Sequence, residues 1–261
     1  MKKYLKSDFY RLLTSESVWG AAVGVFFVYI LGWFQVSYCP DVFGILYYIK
    51  MYSIFILIFA FGVSAFGNTL VEDAEHKYWY LMVQRGKIKP YIWSKMIACF
   101  CGAVLSITVG TMMFVLFARV RLPFLAEHNN IVDIIREHDS FKYFIVHQYI
   151  LVYFFLTAVK MSFFGGILAI FSMLLSLYVK NRLFVICLPV VGFYFWNNYF
   201  YRLFGDNFYI DFNSIYLANG KIFDNSFGCF AYALGLAIAL GGLMGMLIET
   251  KVEKEIRGEH R

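Results

Sequence analysis

The chain has 261 residues, 61 % of them apolar and only 15 % charged, with 23 Lys and Arg against 17 Asp and Glu for a formal charge of +6. Its mean hydropathy is +0.65. A soluble fold of this length cannot withdraw so much apolar surface from water, so the composition excludes a disordered chain, a nucleic-acid-binding basic domain and an ordinary cytosolic enzyme, and makes lipid part of the solvent.

Residues 1–17 read as a basic amphipathic helix. Leu5, Phe9, Leu12 and Leu13 recur at near-helical spacing, with Lys2, Lys3, Lys6 and Arg11 elsewhere. Such a helix ahead of a membrane span lies in the plane of the membrane surface. A spanning helix needs about 20 mostly apolar residues. Windows that meet this lie at about 18–39, 51–71, 96–118, 183–203 and 226–248. The first is too long for a signal-peptide core and has no A-x-A site at its end. A longer apolar region, 143–179, holds one charge, Lys160. It is either a single crossing, 155–179, or a hairpin.

The positive-inside bias arbitrates. With a single crossing and the N-terminus inside, the inner segments hold 15 Lys and Arg and the outer ones 7; with a hairpin turning at Lys160 the split is 12 to 11. The expectation is therefore an all-α integral membrane protein of six spans. Residues 18–248 form the membrane domain, 249–261 a tail, and both termini are cytoplasmic. Lys160 then falls near the outer interface, where it snorkels to water. The competing reading is a buried lysine facing a substrate path or an interface. Residues 143–159 become an outer extension or a half-inserted segment.

Between the spans, G-x-x-x-G pairs at Gly20/Gly24 and Gly241/Gly245 mark close helix contacts. Gly165–Gly166 and Pro189 are candidate bends. The five cysteines have no framework spacing, and Cys99 and Cys101 point about 200° apart on a helix, so they read as packing residues. Cys39 and Cys229 are near the outer ends of their spans, but nothing fixes them together as a disulfide. The outer loop 119–142 carries His128, His138, Glu127, Asp133, Glu137 and Asp139 without metal-ligand spacing and reads as solvated. Residues 205–224, with Phe208, Ile210, Phe212, Ile215 and Tyr216, are apolar enough to dip back toward the membrane. No phosphate-binding loop is legible, since Gly86-Lys87 and Gly220-Lys221 lack both the upstream glycine and the following Ser or Thr. Neither G-x-S-x-G nor HExxH occurs. The spans hold no carboxylate, which argues against an ion-driven carrier or an intramembrane protease.

The inner loop 72–95 carries the most information. It starts acidic and ends basic, as suits the dipole of a helix from about 73 to 85. Tyr78, Leu81, Met82 and Arg85 share one face, Gly86 is a natural stop and Pro90 can open the next helix. Here the chain resembles the permease subunits of ABC type-two exporters. Their corresponding loop reads as a glutamate, Gly-Thr, an aromatic, two or three apolar residues, a basic residue and a Ser-Lys entering the third span. The matching positions are Glu75, Trp79, Leu81-Met82-Val83, Arg85 and Ser94-Lys95, with Lys77-Tyr78 in place of Gly-Thr.

The resemblance implies six spans, an N-terminal interfacial helix and a cytoplasmic coupling helix. It implies a transporter subunit rather than an enzyme, with Glu75, Tyr78, Trp79, Leu81, Met82 and Arg85 touching a separate ATPase subunit. That ATPase would hold the ATP and Mg, with no cofactor in this chain. A second permease, identical or a sister chain, would complete the path in a cell membrane of bacterial type. The alternatives are a membrane-embedded enzyme and an ion-driven carrier. The topology is checked by labelling intact cells with an impermeant thiol reagent in a Cys-free background. Cys at Asn129 or Asn219 is expected to react directly, and Cys at Lys87 or Glu253 only after lysis.

Overall fold

The computed structural model describes residues 2–67, 88–126, 139–179, 181–196, 211–217, 223 and 225–256. All regular structure among them is helical. Helix α1 is Lys2–Thr14, α2 Glu16–Gln35 and α3 Val42–Ile49. A 3₁₀ turn, Ser53–Phe55, leads into α4, Ile56–Ser64. Then come α5 (Ile88–Arg119), α6 (Lys142–Val146), α7 (Ile150–Leu175), α8 (Arg182–Phe195) and α9 (Ser226–Ile256), with a π-helical turn Asn213–Leu217 before the last.

Four helices are long and apolar enough to cross a bilayer: α2, α5, α7 and Ser226–Lys254 of α9. A fifth crossing exists if Val42–Ile49 and Ser53–Ser64, bent by 86°, count as one broken span. Helix α8 has 14 described residues, short of a full crossing. The protein is thus built as a membrane protein.

The contacts set the helix directions. Helices α2 and α5 run parallel: Gly110 lies against Ala22 and Val25, and further along both helices Trp33 meets Phe117 edge-on at 6.3 Å. Helix α7 runs against α5, with Thr108 donating to Ser162 at 3.3 Å while Gly166 receives Phe100. Helix α9 follows α7, through Phe163 against Phe230 at 5.3 Å and Ile170 against Gly241. Helix α4 also runs with α7, its Phe59 edge-on to Phe164 at 5.2 Å and Gly67 just beyond its end lying against Ser172. Two ends therefore emerge. One carries α1, the start of α5 and the end of α9. The other carries α3, α6 and the starts of α7 and α9.

Several boundaries differ from expectation. Residues 42–49 form a buried apolar helix rather than a plain loop. Asp41 caps it, accepting from Gly44 N at 2.8 Å and from Ala126 N at 3.0 Å. Val42 and Phe43 donate their N–H groups to the Pro123 and Phe124 carbonyls, so α3 satisfies its first turn on the chain that leaves α5. The region 143–159 splits at Gln148, whose φ is 62°, into the short α6 and the start of α7. Helix α7 continues unbroken through Gly165–Gly166, which serve close approach instead of a bend. Helix α9 runs to Ile256, so most of the expected tail is helical. Of 205–224, the described turn at 213–217 packs into the bundle: Ser214, Ile215, Tyr216 and Leu217 are buried, and Tyr216 Oη donates to the Ala233 carbonyl at 2.9 Å.

Close approach is strictest at Gly110, where a Cβ would lie 2.5 Å from the Ala22 carbonyl oxygen and 2.7 Å from Val25 Cβ. A backbone atom cannot step aside as a side chain can. At Gly20, by contrast, a Cβ would meet nothing within 4 Å. Gly110→Val is expected to lower stability by at least ~1–3 kcal/mol, the ordinary cost of overpacking, while Gly20→Ala leaves it unchanged or slightly raised. Thermal unfolding followed by tryptophan fluorescence in detergent checks both.

Candidate functional site

Glu75, Tyr78, Trp79, Leu81, Met82 and Arg85 lie outside the described residues, as does most of the loop that holds them. The Ser94-Lys95 pair at its far end is described, and it sits in the most polar part of the α1 end. Helix α1 places Asp8 one turn from Leu12 on a common face, and both are buried against α5. Asp8 Oδ2 accepts from Ser94 Oγ at 2.5 Å, and Oδ1 lies 3.4 Å from Lys95 Nζ. The Lys95 side chain is 1 % exposed, and its ammonium lies 5.8 Å and 6.0 Å from the ring centres of Tyr91 and Phe66. A buried carboxylate bolts α1 to α5, and Leu13, on the apolar face in sequence, is exposed.

One turn earlier α5 is tied to α9. Trp93 Nε1 donates to Glu249 Oε2 at 3.1 Å, and Lys89 Nζ lies 2.7 Å from Oε1. The Lys89 side chain is 67 % exposed, so that ion pair adds little; the part-buried indole bond is the firmer link. On the neighbouring face Lys251 lies 5.1 Å over the Tyr178 ring, joining α9 to the end of α7.

Lys160 is buried and does not snorkel to open water. It is the eleventh residue of α7, about 15 Å along the helix from its start. Its ammonium lies 5.5 Å from the centre of the Phe141 ring. The compensating charge comes from the loop read as solvated. Asp139 is buried, accepts from Tyr153 Oη at 2.6 Å and from Phe141 N at 2.7 Å, and is within electrostatic reach of both Lys160 and Lys50. The sequence reading counted no carboxylate in the spans. The fold supplies one from outside them, seated against α7.

Beside this cluster a narrow cavity of about 30 Å³, room for one or two waters, opens between α2, α3, α5 and α7. Tyr29, Lys50, Thr111, Tyr153, Thr157 and Met161 line it. Thr111 Oγ1 donates to the Ile107 carbonyl at 2.8 Å and lies 3.4 Å from Tyr29 Oη, which points at Met161 Sδ at 4.0 Å. One cation, a largely aromatic wall and several hydroxyls make this a hydrogen-bonding niche inside an apolar bundle. No signal in the local sequence joins Lys50, Asp139, Tyr153 and Lys160, because they come from three separate segments. Cys99 and Cys101 lie in the α5 packing, the former fully buried, and Cys39 and Cys229 are both free thiols. Among the described residues no cluster of His, Cys, Asp and Glu has the makings of a metal site.

No family model, no curated protein and no solved structure matches the chain.

The Asp8–Lys95 contact has a measurable signature. Removing one member of a buried pair strands the other charge, which costs about 3–5 kcal/mol, whereas replacing both by apolar residues of similar volume is near neutral or stabilising. Asp8→Leu or Lys95→Met alone is therefore expected to lower the melting temperature sharply, and the two together to recover most of the loss. Melting curves of the two single variants and the double variant in one detergent complete the comparison.

Proposed function

We propose that the chain is the membrane-spanning permease subunit of an ATP-driven exporter. In this reading it crosses the cell membrane six times with both termini in the cytoplasm. It forms the substrate path with a second permease, and separate ATPase subunits that hold ATP and Mg drive it. The α1 end of the bundle is then cytoplasmic, and the Lys50–Asp139–Lys160 cluster lies in the outer half.

The observation that carries the reading is the way α5 begins. The segment resembling a coupling helix runs directly into Ile88, the first residue of α5. Within the next two turns Trp93 and Lys89 hold Glu249 of α9, and Ser94 and Lys95 hold Asp8 of α1. A push on 72–87 therefore reaches three helices through polar bonds of defined geometry. A plain connecting loop needs no such arrangement. Lys89, Ser94 and Lys95 occupy the stretch where the family resemblance ends, so motif and clamp are continuous.

The buried Asp139–Lys160 cluster favours the second reading, an ion-driven carrier, because ionisable groups held within a bundle are the usual relays of such proteins. Transport that persists without an ATPase and collapses with the proton gradient would favour it.

Coupling is tested at the loop. Burying one large ring at an interface contributes roughly 1.5–3 kcal/mol, and aromatic and arginine side chains dominate such contacts. Tyr78→Ala with Leu81→Ala is expected to leave the protein inserted while co-purification of the ATPase falls at least tenfold. Arg85→Glu is expected to do the same by charge reversal. Full ATPase association and full transport in both variants would remove the loop as the coupling element.

A further inference from the structure

At the end of the bundle opposite α1, an open groove of about 910 Å³ runs between α6, the start of α7 and the start of α9. That volume is within the range of small-molecule sites. Its walls are apolar, built chiefly from Phe141, Phe144, Val146, Leu156, Phe227 and Phe230. Phe227, Val146 and Tyr143 stand largely exposed on its rim. Plain bilayer lipid would wet such walls, but the polar lining is not neutral. Lys142 is the one charged side chain that lines the groove among the described residues, and no carboxylate does.

Two further features carry the same sign. The groove takes in Asn225, Ser226 and Phe227, the opening turn of the 31-residue α9, whose peptide dipoles place positive charge there. Lys160 holds its ammonium behind the Phe141 wall, 5.5 Å from the ring centre. The nearby negative group, Asp139, does not line the groove; its oxygens accept from Tyr153 Oη and Phe141 N, and its charge is shared between Lys160 and Lys50.

An apolar trough with a cationic end fits a single-chain amphiphile with an anionic head. We propose that this groove binds a long-chain fatty acid, the acyl chain against the Phe144, Leu156 and Phe230 wall and the carboxylate at Lys142 and the start of α9. The site stands apart from the transport reading and holds whether or not an ATPase drives the chain.

The test uses the purified full chain in phosphatidylcholine nanodiscs and a palmitate carrying a diazirine in its chain. Photolysis is expected to concentrate crosslinks on residues 141–147 and 225–230, severalfold above the exposed faces of α2 and α5. The matching diazirine alcohol, without the carboxylate, is expected to label these residues severalfold less. Lys142→Gln is expected to reduce palmitate labelling of the groove severalfold. Phe227→Glu, a change at a 76 % exposed position that leaves the fold intact by size exclusion, is expected to abolish it. Lys160→Gln tests the contribution from behind the wall, with a smaller loss expected. Labelling spread evenly over the lipid-facing helices, equal labelling by acid and alcohol, or indifference to Phe227→Glu would overturn the proposal. So would preferential labelling by a diazirine phosphatidylglycerol over palmitate, which would make the occupant a two-chain lipid.

Discussion

A lysine ammonium taken out of water must be met by a counter-charge, and in this protein that requirement organises the α1 end. Lys95 is buried at the entry to α5, and Asp8 is a carboxylate that answers it. Once Asp8 has to reach Lys95 and Ser94, the rest of α1 is constrained. Leu12 turns inward against α5 and Leu13 turns out. The junction to α2 then closes on itself, with Trp19 Nε1 donating to the Leu13 carbonyl at 2.9 Å. A helix that composition alone would leave sliding on the membrane surface acquires one seat. Buried pairs of this kind contribute little net stability against apolar replacements, so what the pair supplies is position.

The other end repeats the physics with different pieces. Lys160 stands on a helix whose neighbours are otherwise apolar, and Lys50 stands where the chain breaks between α3 and the 3₁₀ turn. Asp139 approaches from the chain ahead of α6 and fixes itself through the Phe141 N–H and the Tyr153 hydroxyl. Two cations facing one carboxylate leave a positive surplus next to hydroxyl groups and a water-sized cavity. Asp139 is held by two hydrogen bonds, while Thr157 Oγ1 on the cavity wall is buried without a hydrogen-bond partner among the described residues.

Between these ends the bundle is held by shape. In lipid no hydrophobic gain accompanies helix association, so dispersion and close backbone approach must do the work. Glycine brings α5 onto α2 at Gly110, and Gly165 and Gly166 admit Ile107 and Phe100 of α5. Stacked and edge-on rings fill the remaining space, as where Phe164 meets Phe59, Phe193 and Tyr216. The high aromatic content of the chain is therefore largely packing material, with rings also lining the exposed groove beside α6.

How much of this was legible in sequence follows from the range of the forces. Length, hydropathy and the scarcity of charge determined an all-helical membrane protein, since a bilayer admits few other ways to satisfy a backbone. Runs of about 20 apolar residues located α2, α5, α7 and α9, though α5 starts eight residues earlier and α9 ends eight residues later than those runs, and Pro90 was a fair sign of the start of α5. What sequence could not determine were the partners of single charges. Asp8 looked like one more polar residue on a basic helix, and Asp139 like part of a wet loop. Lys160 looked close enough to an interface to reach water. Each was decided by a contact with a segment remote in the chain, Ser94 and Lys95 for Asp8, Tyr153 for Asp139, the Phe141 ring for Lys160. Hydropathy adds up along the chain and can be read locally, but electrostatic compensation is a pairwise property of the packed structure, and only the tertiary fold says which charges meet.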